Sequence, residues 1–381
     1  MLTFKMKFFI LILLAVLGAN ASNFDERQCG SDMSNLWLDI VLVVDTSANM
    51  APGYLKWIQT TIVDLFNNDT RIGTKYSDPR TTRVSLITYN KDATVVADLN
   101  KYQSFSDLSN GVKFSVNSTP IPVSYLSLGL SKADGVLTAG RSNNYRSNYN
   151  QLVIVFGSTY QKAPDGTDPH KVAWEMKKKG VQVAVVDFTQ DDSLFFVTTS
   201  SHNLYTPIRN NMPNFLVRQV LRANCFCPQD YEKYQPYDGA NFGSCLQVPH
   251  MQKSWAQARL VCQTNAKNGY LATEYTINKH NFNKKLVSDL SAQTYHVGLS
   301  FLNGQWYWEQ PAGQQLVPFY QPTHETAFWK LSYPMSTTTN TAVANFYDSN
   351  GNTAWQNINP INDAKLFICE VIACDTDNYC A

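Results

Sequence analysis

Charged side chains are scarce in this sequence. Asp, Glu, Lys and Arg make up 16% of its 381 residues and nearly cancel, to a formal net charge of +1. No global field therefore draws the chain to nucleic acid or to acidic lipid. Long apolar runs are just as rare. Phe8 to Leu17 is unbroken but shorter than the roughly 20 residues that span a bilayer. It follows Lys5 and Lys7 and precedes Ala19-Asn20-Ala21, so residues 1–21 read as a secretory signal cleaved before Ser22. No second such run follows, and Cys374 to Ala381 is polar, which argues against a transmembrane anchor or a glycolipid-anchor tail.

Catalytic signatures are also missing. There is no P-loop, no G-x-G-x-x-G and no G-x-S-x-G. His324-Glu325 begins like H-E-x-x-H, but Phe328 stands where the second zinc ligand would be. The other histidines, at 170, 202, 250, 280 and 296, are scattered and suit surface or structural roles. No enzyme is expected. No C-x-x-C pair occurs either, so metal binding is a poor reading of the eight cysteines, all of which follow the expected cleavage site. An even number in an exported chain argues for four disulfides. Asn68 and Asn117 open N-x-S/T glycosylation sequons.

What is present is 44% hydrophobic residues, enough for packed cores, in a length that suits two or three domains. Residues 36–222 alternate strand and helix signals. Leu38–Val44, Arg83–Tyr89, Thr94–Leu99, Gln151–Phe156 and Val181–Phe188 read as strands. Tyr54–Phe66, Leu126–Leu137, Asp168–Lys179 and Asn214–Leu221 read as helices, the third stopped by Gly180. The alternation implies an α/β doubly wound, mostly parallel sheet with helices on both faces. Beyond Cys225 the composition turns to Trp, Tyr, Asn and Gln, with helices expected at Lys253–Thr264 and about Thr276–Leu290. The faces expected to be buried are Trp255, Ala258 and Cys262 on the first and Phe282, Leu286 and Leu290 on the second. Ser300 to Asn362 reads as a long irregular stretch, a pattern that tends to be functional.

The first strand ends in Asp45-Thr46-Ser47-Ala48-Asn49. This resembles the D-x-S-x-S loop that opens the metal-ion-dependent adhesion site of von Willebrand A domains, a likeness covering residues 36–222. It implies Mg²⁺ at the C-terminal ends of the parallel strands, completed by an acidic residue of a partner. Ser124-Tyr125-Leu126-Ser127-Leu128-Gly129-Leu130 is similar to the family's T-x-T-x-x-G segment, with Ser124 at the metal-contacting position. Gly157 falls where the family carries a second Asp. The surviving candidate ligands are Asp45, Ser47, Asn49 and Ser124, and Asp187 could substitute only by an unusual geometry. Mg²⁺ wants octahedral oxygens with one or two carboxylates, so the residues favour a metal-free site over a weak Mg²⁺ site.

The ordered fragments Cys227-Pro228, Gly243-Ser244-Cys245, Trp255-Ala256-Gln257-Ala258-Arg259, Cys262, Gly269-Tyr270-Leu271-Ala272, Val297-Gly298-Leu299, Trp306-Tyr307-Trp308, Ala354-Trp355 and Phe367-Ile368-Cys369-Glu370 resemble a C-type-lectin-like domain over residues 227–371. That likeness implies an α+β fold and the pairs Cys227–Cys245 and Cys262–Cys369. The second bridge closes a loop that a chain-entropy estimate values at about 4–5 kcal/mol. The family's bridge at the base of the long loop is missing, with Pro360 where one Cys would stand. The ends of doubly wound domains often lie close together, which suggests Cys29–Cys225 and leaves Cys374–Cys380. Pairing of Cys225 with Cys374 or Cys380 stays open. Residues 372–381 are expected to be a short tail.

Sugar-binding members hold Ca²⁺ through an E-P-N or Q-P-D motif, a further Glu, and an N-D pair after a Trp. The matching segments here are Gln321-Pro322-Thr323, with Glu325 nearby, and Trp355-Gln356-Asn357. Amides replace most of the acids, so the set suits Ca²⁺ poorly. No cofactor is assigned, since the ligand sets for both Ca²⁺ and Mg²⁺ are incomplete. Trp306, Trp308 and Trp355 match core positions. Tyr320, Phe328, Trp329 and Tyr333 lie in the variable loop, where exposed aromatics would stack on a sugar or anchor a partner. The ligand candidates are thus Gln321, Glu325, Trp329, Gln356 and Asn357.

The two domains behind a secretory signal are similar to secreted nematode C-type-lectin proteins with an N-terminal A domain. The resemblance implies extracellular binding of glycans or of microbial or extracellular surface proteins, in innate defence. The competing reading is an adhesion or matrix protein acting by protein–protein contacts through the A domain.

Overall fold

In a computed structural model, the described residues are 26–67, 69–189, 193–207, 211–237, 239–290, 294–319, 328–347 and 352–380. The expected secretory segment, Asn68, Gln321 and Glu325 lie outside them.

The first domain is a six-stranded sheet in the order β3-β2-β1-β4-β5-β6. Its strands are β1 (Leu38–Asp45), β2 (Arg83–Tyr89), β3 (Ala93–Ala97), β4 (Asn150–Gly157), β5 (Gln182–Asp187) and β6 (Leu204–Tyr205). All pairings are parallel except that of the edge strand β3. Strand alternation sends Ile40, Leu42 and Val44 to one face and Val41 and Val43 to the other. Both faces are covered, so β1 is buried throughout. Helices α1 (Pro52–Phe66), α2 (Phe105–Ser115) and α5 (Met212–Ala223) cover the first face. Helices α3 (Leu126–Gly140) and α4 (Pro169–Lys178) cover the second, with Leu126, Leu130, Ala133 and Leu137 of α3 all buried. Near the start of β1, Asp39 faces Arg83 of β2 in register and accepts from it at 2.6 Å and from Arg146 at 3.0 Å. Helix α2 was not expected from sequence. Its Phe-Ser-Asp-Leu-Ser-Asn-Gly start carries weak helix formers, yet Ser104 caps it. Gly111 leaves room for the Tyr102 ring, whose hydroxyl a Cβ at that position would strike.

The second domain has helices α6 (Trp255–Asn265) and α7 (Ile277–Ser288). Its strands are β7 (Glu232–Lys233), β8 (Ser244–Gln247), β9 (Tyr270–Leu271), β10 (Thr294–Leu302), β11 (Gln305–Trp308), β12 (Val317–Pro318), β13 (Ala342–Tyr347), β14 (Thr353–Ile358), β15 (Leu366–Phe367) and β16 (Cys369–Ile372). They form a sheet in the order β12-β11-β10-β13-β14, with β15 on β10, and a second in the order β7-β8-β16-β9. The stretch expected to be irregular therefore contains four of these strands. β13, for instance, reads Ala-Val-Ala-Asn-Phe-Tyr, with four buried residues in a row and no alternation to betray a strand.

Helix α7 also departs from expectation. Phe282, Leu286 and Leu290 are only half-buried, and the face turned inward is Lys279, His280, Asn283 and Val287. Lys279 is fully buried and its ammonium donates to Glu370 at 2.9 Å, to Ser244 at 3.1 Å and to Glu26 at 3.2 Å. Burial alone would push Lys279 down, but the two carboxylates raise it above the ordinary lysine value. Burial raises Glu26, whereas the Lys279 ammonium overrides burial at Glu370 and holds it low. Because Glu26 precedes the first domain in sequence, this buried charge cluster ties the leading segment to the second domain.

The tie continues along residues 27–30. The Cys29 N–H donates to Asn241 O, the Gly243 N–H to Arg27 O, and the Arg27 guanidinium to Asp375 at 2.7 Å. Disulfides join Cys29 to Cys225, Cys227 to Cys245, Cys262 to Cys369 and Cys374 to Cys380. In turn the C-terminal loop reaches back to the first domain. Trp37, fully buried, donates its indole N–H to Asp375 O at 2.8 Å and packs its ring on Tyr149, Phe226 and Tyr379 at 4.7–5.3 Å.

Replacing Lys279 by Met leaves two carboxylates buried without a cation, and we expect a loss of about 3–5 kcal/mol in urea unfolding. A loss below about 1 kcal/mol would contradict the assignment. Wild-type stability contributed by Glu370 is present above its ordinary value of 4.5 and is lost as pH falls. Raised Glu26 partly opposes that acid loss. The contribution of Lys279 is complete below 10.5 and is lost as pH rises beyond its raised value.

Candidate functional site

Two places collect the residues that the sequence singled out. The first is the C-terminal edge of the parallel sheet. β1 delivers Asp45 there, fully buried. Its Oδ1 accepts from the Ser47 N–H at 2.8 Å, and its Oδ2 accepts from the Ser124 hydroxyl at 2.9 Å and from the Ser158 hydroxyl. Ser158 was not picked out from sequence, although its place directly after Gly157 at the end of β4 is the signal that could have found it. Ser47 and Ser124 are themselves fully buried. Asn49 is exposed, and its amide donates to Pro122 O at 3.2 Å. The loop after Asn117 lies over this edge, with the Thr119 N–H on Thr46 O and the Ala48 N–H on Ile121 O. The Asn117 side chain is exposed at the start of that loop.

The place of a second carboxylate is taken. A Cβ on Gly157 would meet Leu194 Cδ1 at 2.7 Å and the Tyr89 hydroxyl at 3.4 Å. Burial, and then the nearby Asp45 charge, push the Tyr89 phenol well above its ordinary value, so it stays neutral. Asp187 lies beside Gly157 in register but accepts from its own loop, at 2.8 Å from the Thr189 N–H and 2.6 Å from the Thr189 hydroxyl. The donor set is one carboxylate and three hydroxyls, and both carboxylate oxygens already accept protein hydrogen bonds. Mg²⁺ holds its water tightly and is drawn in mainly by carboxylates, so this set does not fit it. Among the described residues, three His, Cys, Asp or Glu ligand atoms converge within 4.8 Å at Cys29, Cys225 and Asp375, and there both sulfurs are spent in a disulfide.

The second place is the face of the lectin-like domain around β11 and β14. Residues Phe328 to Lys330 run beside Trp355, with the Trp355 N–H on Phe328 O at 2.6 Å and the Lys330 N–H on Trp355 O at 3.0 Å. Phe328 stacks on His280 at 4.7 Å. The Trp329 ring packs at 5.2 Å from Trp306 and 5.7 Å from Trp355. Both residues are half-buried rather than free in a loop, because the Trp355 backbone holds this segment against the core. Trp306 is half-buried too and touches Phe301 at 5.1 Å, so Phe301, Trp306 and Trp329 make a continuous aromatic shelf beside the exposed Leu331.

Asn357, matched above to a Ca²⁺ ligand, is turned inward. Its oxygen accepts from the Met335 N–H at 2.7 Å and its amide donates to Met335 O and Asn340 O. Every polar atom of this side chain is committed to pinning residues 335–340. Gln356 is half-buried on β14. Beneath the shelf lies a polar network that the sequence did not reveal. Glu274 accepts from the Trp355 indole at 2.7 Å, from the Tyr295 hydroxyl at 2.9 Å and from Asn283 at 3.2 Å, and its Oε2 lies 2.9 Å from His280 Nδ1. This network fixes Trp355 and, through it, the segment carrying Trp329.

If Asp45 is a buried structural carboxylate, adding Mg²⁺ to 5 mM or stripping metal with a chelator should leave the thermal midpoint within about 1 °C. Saturable stabilisation by Mg²⁺ of several degrees would contradict this.

The family model for the von Willebrand factor type A domain matches residues 39–206, and that for the lectin C-type domain matches residues 251–371. C-type lectin domain-containing protein 160 of Caenorhabditis elegans is 23% identical over 384 residues, a match covering 94% of this chain. The chain spans 56% of that relative's length. Among solved structures, proximal thread matrix protein 1 from the mussel byssus aligns with TM-score 0.40 and 16% identity, over 50% of this chain and 48% of that one. Human lithostathine aligns with TM-score 0.30 and 22% identity, over 38% of this chain and 90% of that one. Among the described residues, no helix is long and apolar enough to cross a membrane. The domain matches support a role in carbohydrate or surface recognition or adhesion, and the chain carries a von Willebrand factor type A domain followed by a C-type lectin domain.

Proposed function

We propose that this is a secreted recognition protein that binds glycans on microbial or cell surfaces, in innate defence, and does so without metal and without catalysis. The observation that carries the reading is the shelf of Phe301, Trp306 and Trp329. Half-buried indoles held by a fixed backbone offer flat apolar faces at low entropic cost, which suits the C–H face of a sugar ring. Secretion is supported by the apolar segment before Ala19-Asn20-Ala21 and by four disulfides, which persist in oxidising compartments. Metal independence is supported by the inward turn of Asn357 and by the protein hydrogen bonds that occupy Asp45.

One observation favours adhesion through the A domain as a second reading. Trp174 on α4 and Phe196, on the turn that packs against α4, are 59% and 67% exposed. Exposed aromatics of this kind anchor protein partners.

A glycan array read once with Ca²⁺ and once with chelator separates the readings. We expect glycan binding that survives chelation and that Trp329→Ala weakens on the order of tenfold, the scale of one stacked aromatic. Binding abolished by chelator would overturn metal independence. No glycan binding in either arm, with capture of a protein partner lost on Phe196→Ala, would favour adhesion.

A further inference from the structure

A cavity of about 430 Å³ opens between the two domains, far in sequence from the aromatic shelf. The A domain contributes Gln182, at the start of β5, and Arg222, on α5. The lectin domain contributes Tyr231, Lys233, Gln235 and Asn241. Its size is that of a small-ligand pocket, and the Cys29–Cys225 disulfide fixes its floor by joining the segments that flank it.

Lys233 is the unusual member. Its ammonium donates to Cys225 O at 2.8 Å and to Asn241 Oδ1 at 3.2 Å, both neutral acceptors. Lys233 is half-buried, and a cation withdrawn from water in this way ordinarily has a carboxylate partner. The carboxylate felt by Lys233 is Asp375, which is bound to Arg27 at 2.7 Å. Burial, and then the Arg222 guanidinium, push Lys233 down to about 8, and Asp375 opposes this weakly. An anion entering the cavity would reverse both costs. Around the cation, the Tyr231 hydroxyl is buried with no hydrogen-bond partner among the described residues, and the side chains of Gln182, half-buried, and Gln235, exposed, line the same cavity. Neutral donors and acceptors set about the Lys233 and Arg222 cations are the groups that recognise a hydroxylated ring bearing a negative charge.

We propose that this interdomain cavity is a second binding site, for an acidic saccharide whose carboxylate or sulfate is held by Lys233 and whose hydroxyls are held by the amides of Gln182 and Gln235. The site differs from the metal-free glycan shelf and does not depend on it. It requires both domains in their observed arrangement, since Gln182 and Lys233 come from opposite walls.

Isothermal titration of the full chain at pH 7 with glucuronate, glucose 6-sulfate and glucose tests the proposal. At least one acidic sugar should saturate in the millimolar range or tighter while glucose does not, and the two acidic arms tell carboxylate from sulfate. Lys233→Met should weaken binding more than about tenfold and Lys233→Arg should retain most of it. Gln182→Ala, on the other wall and away from the half-buried cation, should weaken it about threefold and keeps the test open if Lys233→Met does not fold. From pH 7 to pH 9 affinity should fall about tenfold as Lys233 loses its proton. Trp329→Ala should leave this binding unchanged, so failure here and failure of the shelf are told apart. Failure of both acidic sugars to saturate, equal binding of glucose, or indifference to both Lys233→Met and Gln182→Ala would overturn the proposal. Saturation by an oligoglutamate peptide without either sugar would also overturn it, in favour of an acidic protein partner.

Discussion

The buried carboxylate of Asp375 holds this molecule together. Its Oδ2 accepts from Arg27 and from the Gly30 N–H, its Oδ1 from the Asp377 and Asn378 N–H groups, and its backbone oxygen from the Trp37 indole. One residue therefore gathers the segment entering the A domain, the first residues of that domain and the loop closed by Cys374–Cys380. Trp37 brings the rings of Tyr149, Phe226 and Tyr379 onto the same spot, so its bond to Asp375 is buried. Glu26 extends the arrangement by carrying a charge into the lectin domain beside Lys279 and Glu370. The two domains are not beads on a linker, because chain ends from both sides cross the junction and are stapled on either side of it.

The two faces that resemble metal sites are poor in carboxylates in the same way. Beside Asp45, Leu194 fills the space that a side chain on Gly157 would need, while the carboxylate accepts from Ser47, Ser124 and Ser158. In the lectin domain Asn357 spends its amide on the backbone of Met335 and Asn340. A divalent ion is pulled from its water shell by carboxylates, and neutral amides and hydroxyls exert far less pull. Asp45 and Asn357 both hold loop segments in place through these bonds.

Much of this was legible in the residues. The strands of the A domain announce themselves because a two-sided burial demands unbroken apolar runs such as Leu38–Val44, and α3 because Leu126, Leu130, Ala133 and Leu137 fall on one face. The lectin-like fragments were legible in order and spacing. What escaped were elements whose buried face is polar or unpatterned. Lys279, His280 and Asn283 look like a solvated stripe on α7, and only partners distant in sequence, Glu26, Glu274 and Glu370, turn that stripe inward. Trp329 read as a loop aromatic because nothing local shows that the Trp355 backbone would hold its neighbours in place. Leu194 could not be linked to Gly157 before the strand ends were brought together.

The contacts around Asp375 and Trp37 should make the two domains one cooperative unit. Differential scanning calorimetry tests it most directly. We expect a single transition whose calorimetric and van't Hoff enthalpies agree, and its division into two when Asp375 is replaced by Ala. Two separate transitions in the unaltered protein would contradict it.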